Sequence, residues 1–255
     1  MDLGIAGRGA IVCASSKGLG RACAMELARA GCRVVVNGRD AVRAHATADE
    51  IRAATGAEVT VVAGDVGDAD VREALLDACR APDILINNNG GPPPAAFDTL
   101  THDQILAGIE ANMLTPIALI QRVAPGMASR KFGRIINITS ASVRAPIAGL
   151  DVSSGARAGL TAFLASAARR YAKDNVTINS IQPGIFDTDR IRVALGKHPD
   201  GIEAAKAARA AAVPAGRLGT PEEFGALCAF LASAQAGYIA GQNLLIDGGA
   251  FPGAF

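Results

Sequence analysis

The sequence predicts a doubly wound α/β fold, and three observations support this prediction. Short apolar runs alternate with longer amphipathic segments along the 255 residues. The runs are apolar at consecutive positions, which is typical of parallel strands buried on both faces of a sheet. No linker rich in Pro, Gly or Ser divides the chain, so we predict one domain over residues 1–255. These features together predict a seven-stranded, Rossmann-like parallel sheet with helices on both faces.

The individual elements follow from the same alternation. The predicted strands are 10–14, 33–37, 58–63, 83–87, 134–138, 176–181 and 243–246. The predicted helices are 21–30, 40–55, 68–79, 101–131, 153–174 and 221–232. Pro125 is expected to break or kink the long helix, because proline lacks an amide proton. Thr220 and Pro221 predict the start of the last helix, and the phenylalanines are expected in the core.

Composition and charge argue against several classes of function. The chain has 25 basic and 24 acidic residues without a basic cluster, which argues against nucleic-acid and membrane-surface binding. No apolar run approaches the ~20 residues of a membrane span, and no signal-peptide pattern opens the sequence. The five cysteines are scattered and never form a C-x-x-C pair, so we expect buried thiols and no metal site. The expected location is the cytoplasm.

A glycine-containing turn follows the first strand. Sheets of this kind bind ligands beyond the carboxyl ends of their strands. In CASSKGLGRA, two glycines would let backbone N–H groups approach a phosphate at the start of a helix. An ordinary tight turn is the alternative, and the usual fingerprint has glycine where this chain has Ala14. The predicted nucleotide contacts in this turn are Ala14, Ser16, Lys17, Gly18, Leu19 and Gly20.

The end of the second strand indicates which nucleotide would bind. An acidic residue there would bind a free ribose 2′-hydroxyl and favour NAD(H). This chain has Asn37 and Arg39 instead. Arg39 offers a fork of donors for a 2′-phosphate, and Lys17 adds a second positive charge. Solvated surface cations are the alternative, but the pair favours NADP(H).

These motifs resemble the short-chain dehydrogenase/reductase family, and in particular its β-ketoacyl-acyl-carrier-protein reductases. The resemblance spans almost the whole chain and rests on ASSKGLG, GDV at 64–66, NNNG at 87–90, Asn112, ITS ending at Ser140, QPG at 182–184 with Thr188, and GYIAGQNLLIDGG. It implies a small-molecule carbonyl or alcohol substrate and a homotetramer or homodimer. It also implies nucleotide contacts from Asp65, Val66, Asn88, Asn89, Gly90, Pro183, Gly184, Ile185 and Thr188. Asn89 stands where the family has alanine.

The catalytic positions depart from the family. The family places a Y-x-x-x-K pair after a serine, so that tyrosine donates a proton and lysine lowers its pKa. Counted from Ser140, the tyrosine position is Ser153 and the lysine position is Arg157. These two side chains are expected to share one helix face, because they lie four residues apart. Arg157 keeps the positive charge and is also expected to bind ribose hydroxyls of the nucleotide. In the family Asn112 would hold a water leading to the lysine; the alternative is a satisfied polar group on a helix.

Three functions remain compatible with these replacements, which resemble an atypical reductase-like subgroup carrying an NNxGGPPP loop. The first is reduction of a 3-oxoacyl-like or other ketone, with Ser140, Ser142 or Ser153 positioning substrate, water as the proton source and Arg157 stabilising oxyanion charge. The second is a nucleotide-binding pseudoenzyme or regulatory subunit. The third is a cofactor-independent lyase or dehalogenase-like reaction, because halohydrin dehalogenases resemble this family and use an arginine.

A charged, Ala-rich segment at about 187–212 is expected to be a mobile substrate lid. It lacks the cluster of arginines that would suggest an acyl-carrier-protein phosphate. Arg190 and Arg192 in this segment are candidate contacts to an anionic group. His198 is expected to be solvated rather than catalytic.

Overall fold

Seven parallel strands form one sheet in a computed structural model that describes residues 2–196 and 201–253. The strands are β1 (Gly9–Val12), β2 (Arg33–Gly38), β3 (Val59–Ala63), β4 (Ile84–Asn87), β5 (Gly133–Ile138), β6 (Val176–Pro183) and β7 (Asn243–Ile246). Their order is β3-β2-β1-β4-β5-β6-β7, and every pairing is parallel. The order reverses between β1 and β4, which opens a crevice at their carboxyl ends. The predicted seven-stranded parallel sheet is confirmed.

Helices cover both faces of this sheet. They are α1 (Gly18–Arg29), α2 (Ala41–Thr55), α3 (Ala69–Ala78), α4 (His102–Ile109), α5 (Thr115–Ser129), α6 (Asp151–Ala172), α7 (Asp189–Leu195), α8 (Gly201–Ala211) and α9 (Pro221–Ala232). Apolar side chains of α1, α2 and α9 pack in one core cluster, and those of α3, α5 and α6 in another. The predicted start of α9 is confirmed, because Thr220 caps it and Pro221 is its first residue. Within the described residues, no helix is long and apolar enough to cross a bilayer.

The long helix predicted at 101–131 is interrupted, but not at Pro125. A π-helical turn, Glu110–Leu114, separates α4 from α5. The helix α5 continues through Pro125 to Ser129, so Pro125 does not break the helix, and the kink that was the other expectation stays a prediction. Proline at this position frees the carbonyl of Gln121. Gln121 and Pro125 are both exposed, which lets water bind that carbonyl.

The expectation that the phenylalanines lie in the core needs correction. Phe97 and Phe163 are not in the core, because they are 76% and 54% exposed. The predicted lid, for which the sequence analysis gave no secondary structure, contains the helices α7 and α8 in its described parts. The expectation for His198 concerns a residue outside the described ranges. The lid role itself stays a prediction.

Candidate nucleotide and active site

The turn after β1 is held against the neighbouring strand ends. Ala14 adopts a left-handed conformation with φ of 44°, and Gly18 does so with φ of 58°. The N–H of Ala14 donates to Asn37 Oδ1 at 3.0 Å, and its carbonyl accepts from Asn88 Nδ2 at 3.1 Å. A Cβ added to Gly20 would collide with the Ala14 carbonyl and lie 2.9 Å from Asn88 Nδ2. Position 20 therefore requires glycine.

The side chain of Asn37 links this turn to the end of β3 by hydrogen bonds. Its side chain is 1% exposed, and its Nδ2 donates to the carbonyl oxygens of Val62 and Gly64 at 3.0 and 3.2 Å. Each polar atom of the side chain thus bonds to the protein, and a contact between Asn37 and the nucleotide stays a prediction. Ser15, which the sequence analysis missed, is equally buried and accepts from the Asn37 N–H at 3.0 Å. Its position next to the glycine turn was the available signal.

Two exposed cations flank the turn. Arg39 is 79% exposed, and its NH1 lies 3.8 Å from Asp65 Oδ2. Lys17 is also exposed and precedes the first residue of α1. Asp65 accepts a hydrogen bond from the Gly67 N–H at 2.9 Å, while the Val66 side chain is buried. The remaining predicted turn residues are half-buried: Ser16 and Leu19.

The loop after β4 is tied to the π-helical turn. Asn89 Nδ2 donates to the Ala111 carbonyl at 3.2 Å, and Asn89 Oδ1 accepts from the Gly90 N–H at 2.8 Å. Asn112 Nδ2 donates to the Gly90 carbonyl at 3.4 Å. Within the described chain, Asn112 Oδ1 and Thr115 Oγ1 are buried without a hydrogen-bond partner. Asn112 is thus not fully satisfied as a helix residue.

These two orphan oxygens belong to residues that line one small cavity of about 20 Å³. Asn89 and Arg157 line the same cavity. One water needs roughly 10–15 Å³ and polar partners, so the cavity has the size and chemistry to hold one. This is consistent with the water-holding role that the resemblance implies for Asn112.

Arg157 is the buried cation of the crevice. The residue is 7% exposed, and its guanidinium donates from NH1 to the Ile138 carbonyl at 2.6 Å and from NH2 to the Asn89 carbonyl at 3.5 Å. Its Nε donates to Ser153 Oγ at 3.2 Å, which confirms that these two side chains share a helix face. Burial, and to a smaller extent the charge of Arg190, lowers the pKa of Arg157 to about 10. The side chain therefore stays protonated at neutral pH.

Ser140 follows β5 and bonds to Ser142. Its Oγ accepts from the Ser142 N–H at 3.1 Å and from the Ser142 hydroxyl at 2.9 Å. Both bonds use Ser140 as the acceptor, so its own hydroxyl proton is available to a ligand. Among the described residues it forms no hydrogen bond with Ser153 or Arg157.

The segment after β6 reaches back to the glycine turn. Pro183 ends β6, and the N–H of Gly184 donates to the Ile246 carbonyl at 2.9 Å. Thr188 precedes α7, and its Cγ2 lies 3.8 Å from the place where a Cβ on Gly18 would be. The segment after β6 and the glycine turn after β1, both predicted to contact the nucleotide, are thus brought together. Ile185, between them, is half-buried.

A chain of buried asparagines, missed from the sequence, lies at the carboxyl edge of the sheet. Asn87 Nδ2 donates to Asn137 Oδ1 at 2.9 Å, and Asn137 Nδ2 donates to the Asn179 carbonyl at 3.3 Å. Asn179 Nδ2 continues to the Ile239 carbonyl at 2.7 Å. The signal was the Ile-Asn pair that recurs in three successive strands. These bonds hold the strands on which the site is built.

The comparisons with known proteins agree with this geometry. A family model described as enoyl-(acyl carrier protein) reductase matches residues 13–250. The NADPH-dependent reductase BacG of Bacillus subtilis is 32% identical over 95% of this chain and 97% of its own. The 3-oxoacyl-[acyl-carrier-protein] reductase FabG of Vibrio harveyi is 34% identical over 98% and 99%.

Solved structures give the same result. The L-sorbose reductase of Gluconobacter frateurii, complexed with NADPH and L-sorbose, superposes with a TM-score of 0.93 at 27% identity and covers 99% of this chain and 100% of its own. Within the described residues, no group of three or more His, Cys, Asp or Glu side chains is placed to hold a metal ion. Since the family model spans most of the sequence and full-length relatives exceed 30% identity, the chain belongs to the short-chain dehydrogenase/reductase family.

Proposed function

We propose that this protein is an NADP(H)-dependent oxidoreductase that reduces a carbonyl to an alcohol in an active site without the family's tyrosine and lysine. The observation that carries this proposal is the buried Arg157–Ser153 pair beside the loop that follows β4. The cofactor is the one that the sequence predicts, and the relatives support it, because BacG is named as NADPH-dependent and the sorbose reductase is complexed with NADPH.

The residues at the edge of the sheet fit a dinucleotide. The close packing of Gly20 against the Ala14 carbonyl fixes the turn at the start of α1, where backbone N–H groups can bind phosphate oxygens. Arg39 and Lys17 would hold the 2′-phosphate, and Asp65 the adenosine side. The nicotinamide side would contact Asn88, Asn89, Gly90, Pro183, Gly184, Ile185 and Thr188. NADPH, when bound, supplies a hydride.

The serines and Arg157 would handle the carbonyl oxygen. Ser140 donates its unused hydroxyl proton to that oxygen and orients it. Ser153 accepts from Arg157, and this polarises the Ser153 hydroxyl as a second donor. The guanidinium stabilises negative charge that develops on the oxygen, since a preorganised cation needs no rearrangement during reaction. Solvent water delivers the proton, because a serine hydroxyl is much less acidic than a phenol.

The second candidate is a nucleotide-binding pseudoenzyme. It is favoured by one observation, namely that each nitrogen of the Arg157 guanidinium already donates to the protein. Its expected behaviour is nucleotide binding without turnover. Among the described residues, no particular contact favours the cofactor-independent, dehalogenase-like reaction, and such a reaction would not need the glycine turn.

Thermal unfolding with NADPH, NADH or neither tests the nucleotide part. We expect NADPH to stabilise the protein more than NADH, since a ligand at 100 times its Kd adds ~2.7 kcal/mol. The reason is the 2′-phosphate, which Arg39 and Lys17 can bind. If neither nucleotide shifts the melting temperature, both the reductase and the pseudoenzyme are wrong.

Turnover of a panel of ketones with NADPH then distinguishes a reductase from a pseudoenzyme. A reductase is expected to turn over at least one ketone, and Ser140→Ala should lower that rate because it removes the donor. Ser154→Ala is the matched control, since the Ser154 hydroxyl is buried without a hydrogen-bond partner in the described chain. A parent protein that is silent on every ketone yet binds NADPH supports the pseudoenzyme instead. Ser153→Tyr combined with Arg157→Lys would then be expected to create activity.

We further propose that the protein is a homodimer or homotetramer. Large apolar side chains are exposed on neighbouring elements, on α4, the π-helical turn and α6: Ile105, Leu106, Leu114 and Phe163. A second copy of the chain that covers them would bury apolar surface and be stabilised by it. We expect light scattering to give two or four times the mass of one chain, and a monomeric mass at micromolar concentration would contradict this.

The single-domain organisation and the cytoplasmic location remain part of the proposal. One sheet takes strands from Gly9 to Ile246, which supports a single domain over residues 1–255. All five cysteines are free thiols, which supports a reducing compartment.

A further inference from the structure

Two arginines converge on the loop that follows β4. The guanidinium of Arg190, on the first turn of α7, lies over Gly91. A Cβ built on Gly91 would be 3.0 Å from Arg190 NH2 and 3.2 Å from its NH1. Arg157 contacts the same loop two residues earlier, at the Asn89 carbonyl. The loop thus contacts one buried cation, Arg157, and one exposed cation, Arg190.

No carboxylate neutralises this pair within the described chain. The two acidic residues nearest to Arg190 in sequence are already engaged. Asp187 binds Arg192 at 3.2 Å and Lys206 at 2.6 Å. Asp189 lies 3.4 Å from Arg43. The crevice therefore presents uncompensated positive charge. Burial is the main cause of the lowered pKa of Arg157, and the nearby charge of Arg190 lowers it further.

We infer that the substrate carries a carboxylate besides its carbonyl, and that Arg190 binds this carboxylate. The inference rests on the proposed function and names the substrate class of the same site. An arginine fork suits a carboxylate, because two parallel N–H donors meet its two oxygens. A carboxylate here would also offset the repulsion between Arg190 and Arg157.

The position of Arg190 favours substrate over the phosphates of the nucleotide. The glycine turn already has backbone donors at the start of α1 and the exposed Lys17 beside it. Thr188, two residues before Arg190, packs towards Gly18 in that turn. Arg190 itself lies over Gly91, on the side of the crevice that holds Arg157.

The experiment compares acids with their neutral esters. The probes are acetoacetate, 2-oxobutanoate and benzoylformate, each beside its methyl ester. For the parent protein we expect an acid to be reduced with a kcat/KM about tenfold or more above that of its ester. In Arg190→Gln that advantage is expected to disappear, because a charge-assisted hydrogen bond contributes about tenfold or more. Arg192→Gln is the matched control, since Arg192 is paired with Asp187, and it should keep the preference.

Melting temperatures give a readout that does not depend on turnover. Each acid and ester is added to the protein with and without NADP⁺, and the acid is expected to stabilise the parent but not Arg190→Gln. This separates the inference from the proposed function, because a pseudoenzyme would show the shift without turnover. Equal responses to acids and esters would overturn the inference. So would an Arg190→Gln variant that binds NADPH more weakly while retaining its preference for acids, since Arg190 would then serve the nucleotide.

Discussion

Replacing Arg157 with methionine is expected to lower kcat/KM at least about 100-fold, in line with the loss of one oxyanion donor. The change removes the cation beside Ser153 and leaves the carbonyls of Ile138 and Asn89 without this donor. Steady-state kinetics at saturating NADPH measure the effect. Arg157→Lys is the informative partner, since it keeps the charge but loses the fork and should retain more activity than Arg157→Met.

The fold is expected to survive this change, and the sign of the pKa shift gives the reason. The pKa of Arg157 is lowered in the folded state to about 10 from 12.5. The folded protein therefore holds this proton less tightly than the unfolded chain, so the charge opposes folding below pH 10. That opposition is relieved as the pH rises through 10, where we also expect the wild-type rate to decline. A wild-type kcat/KM in Arg157→Met would exclude Arg157 from the mechanism.

Replacing Gly20 with alanine is expected to abolish NADPH binding under conditions where the wild type is saturated. The new Cβ would collide with the Ala14 carbonyl and lie 2.9 Å from Ser15 Cα and Asn88 Nδ2. Relief of these contacts requires the turn to move away from the end of β4. A fluorescence titration with NADPH measures binding, and circular dichroism checks that the sheet remains.

Two other variants serve as controls for Gly20→Ala. Ala14→Gly, in the same turn, should preserve binding, because φ at position 14 is 44° and glycine adopts it without strain. Gly155→Ala, on α6, should stabilise the protein slightly, since a Cβ there meets nothing within 4 Å and alanine favours helix. Undiminished NADPH binding by Gly20→Ala would contradict the placement of the phosphates in this turn.

The elements of the fold could be predicted because their causes are local. Continuous apolar runs place every strand end within two residues of its position in the structure. The start of α9 at Thr220 and Pro221 could be predicted for the same reason. The effect of Pro125 on α5 could not be predicted, because it depends on whether the carbonyl that proline frees faces water, and this is a property of the packed helix. Exposure of Phe163 likewise depends on what covers α6, which no local pattern encodes.

The site was predictable only in part. The Ser153–Arg157 contact follows from helix geometry, and the structure shows it. The burial of Asn37 does not follow, because a polar residue at a strand end can face either the ligand or the turn beneath it. The approach of Arg190 to Gly91 joins residues 99 positions apart, and it depends on how α7 packs. Long-range contacts of this kind need the tertiary structure.

The π-helical turn between α4 and α5 has a consequence for chain length. It accommodates the backbone of Asn112 and lets the helix resume at Thr115 with its apolar face towards the sheet. Because this turn already holds one residue more than an α-helical turn, inserting a further residue, or deleting one from α4 or the start of α5, would rotate the rest of α5 by about 100°. Ile120 and Val123, now buried, would then turn away from the core. Insertions and deletions should therefore be rare between residues 101 and 129 among proteins that share this site, so the spacing itself can identify its relatives.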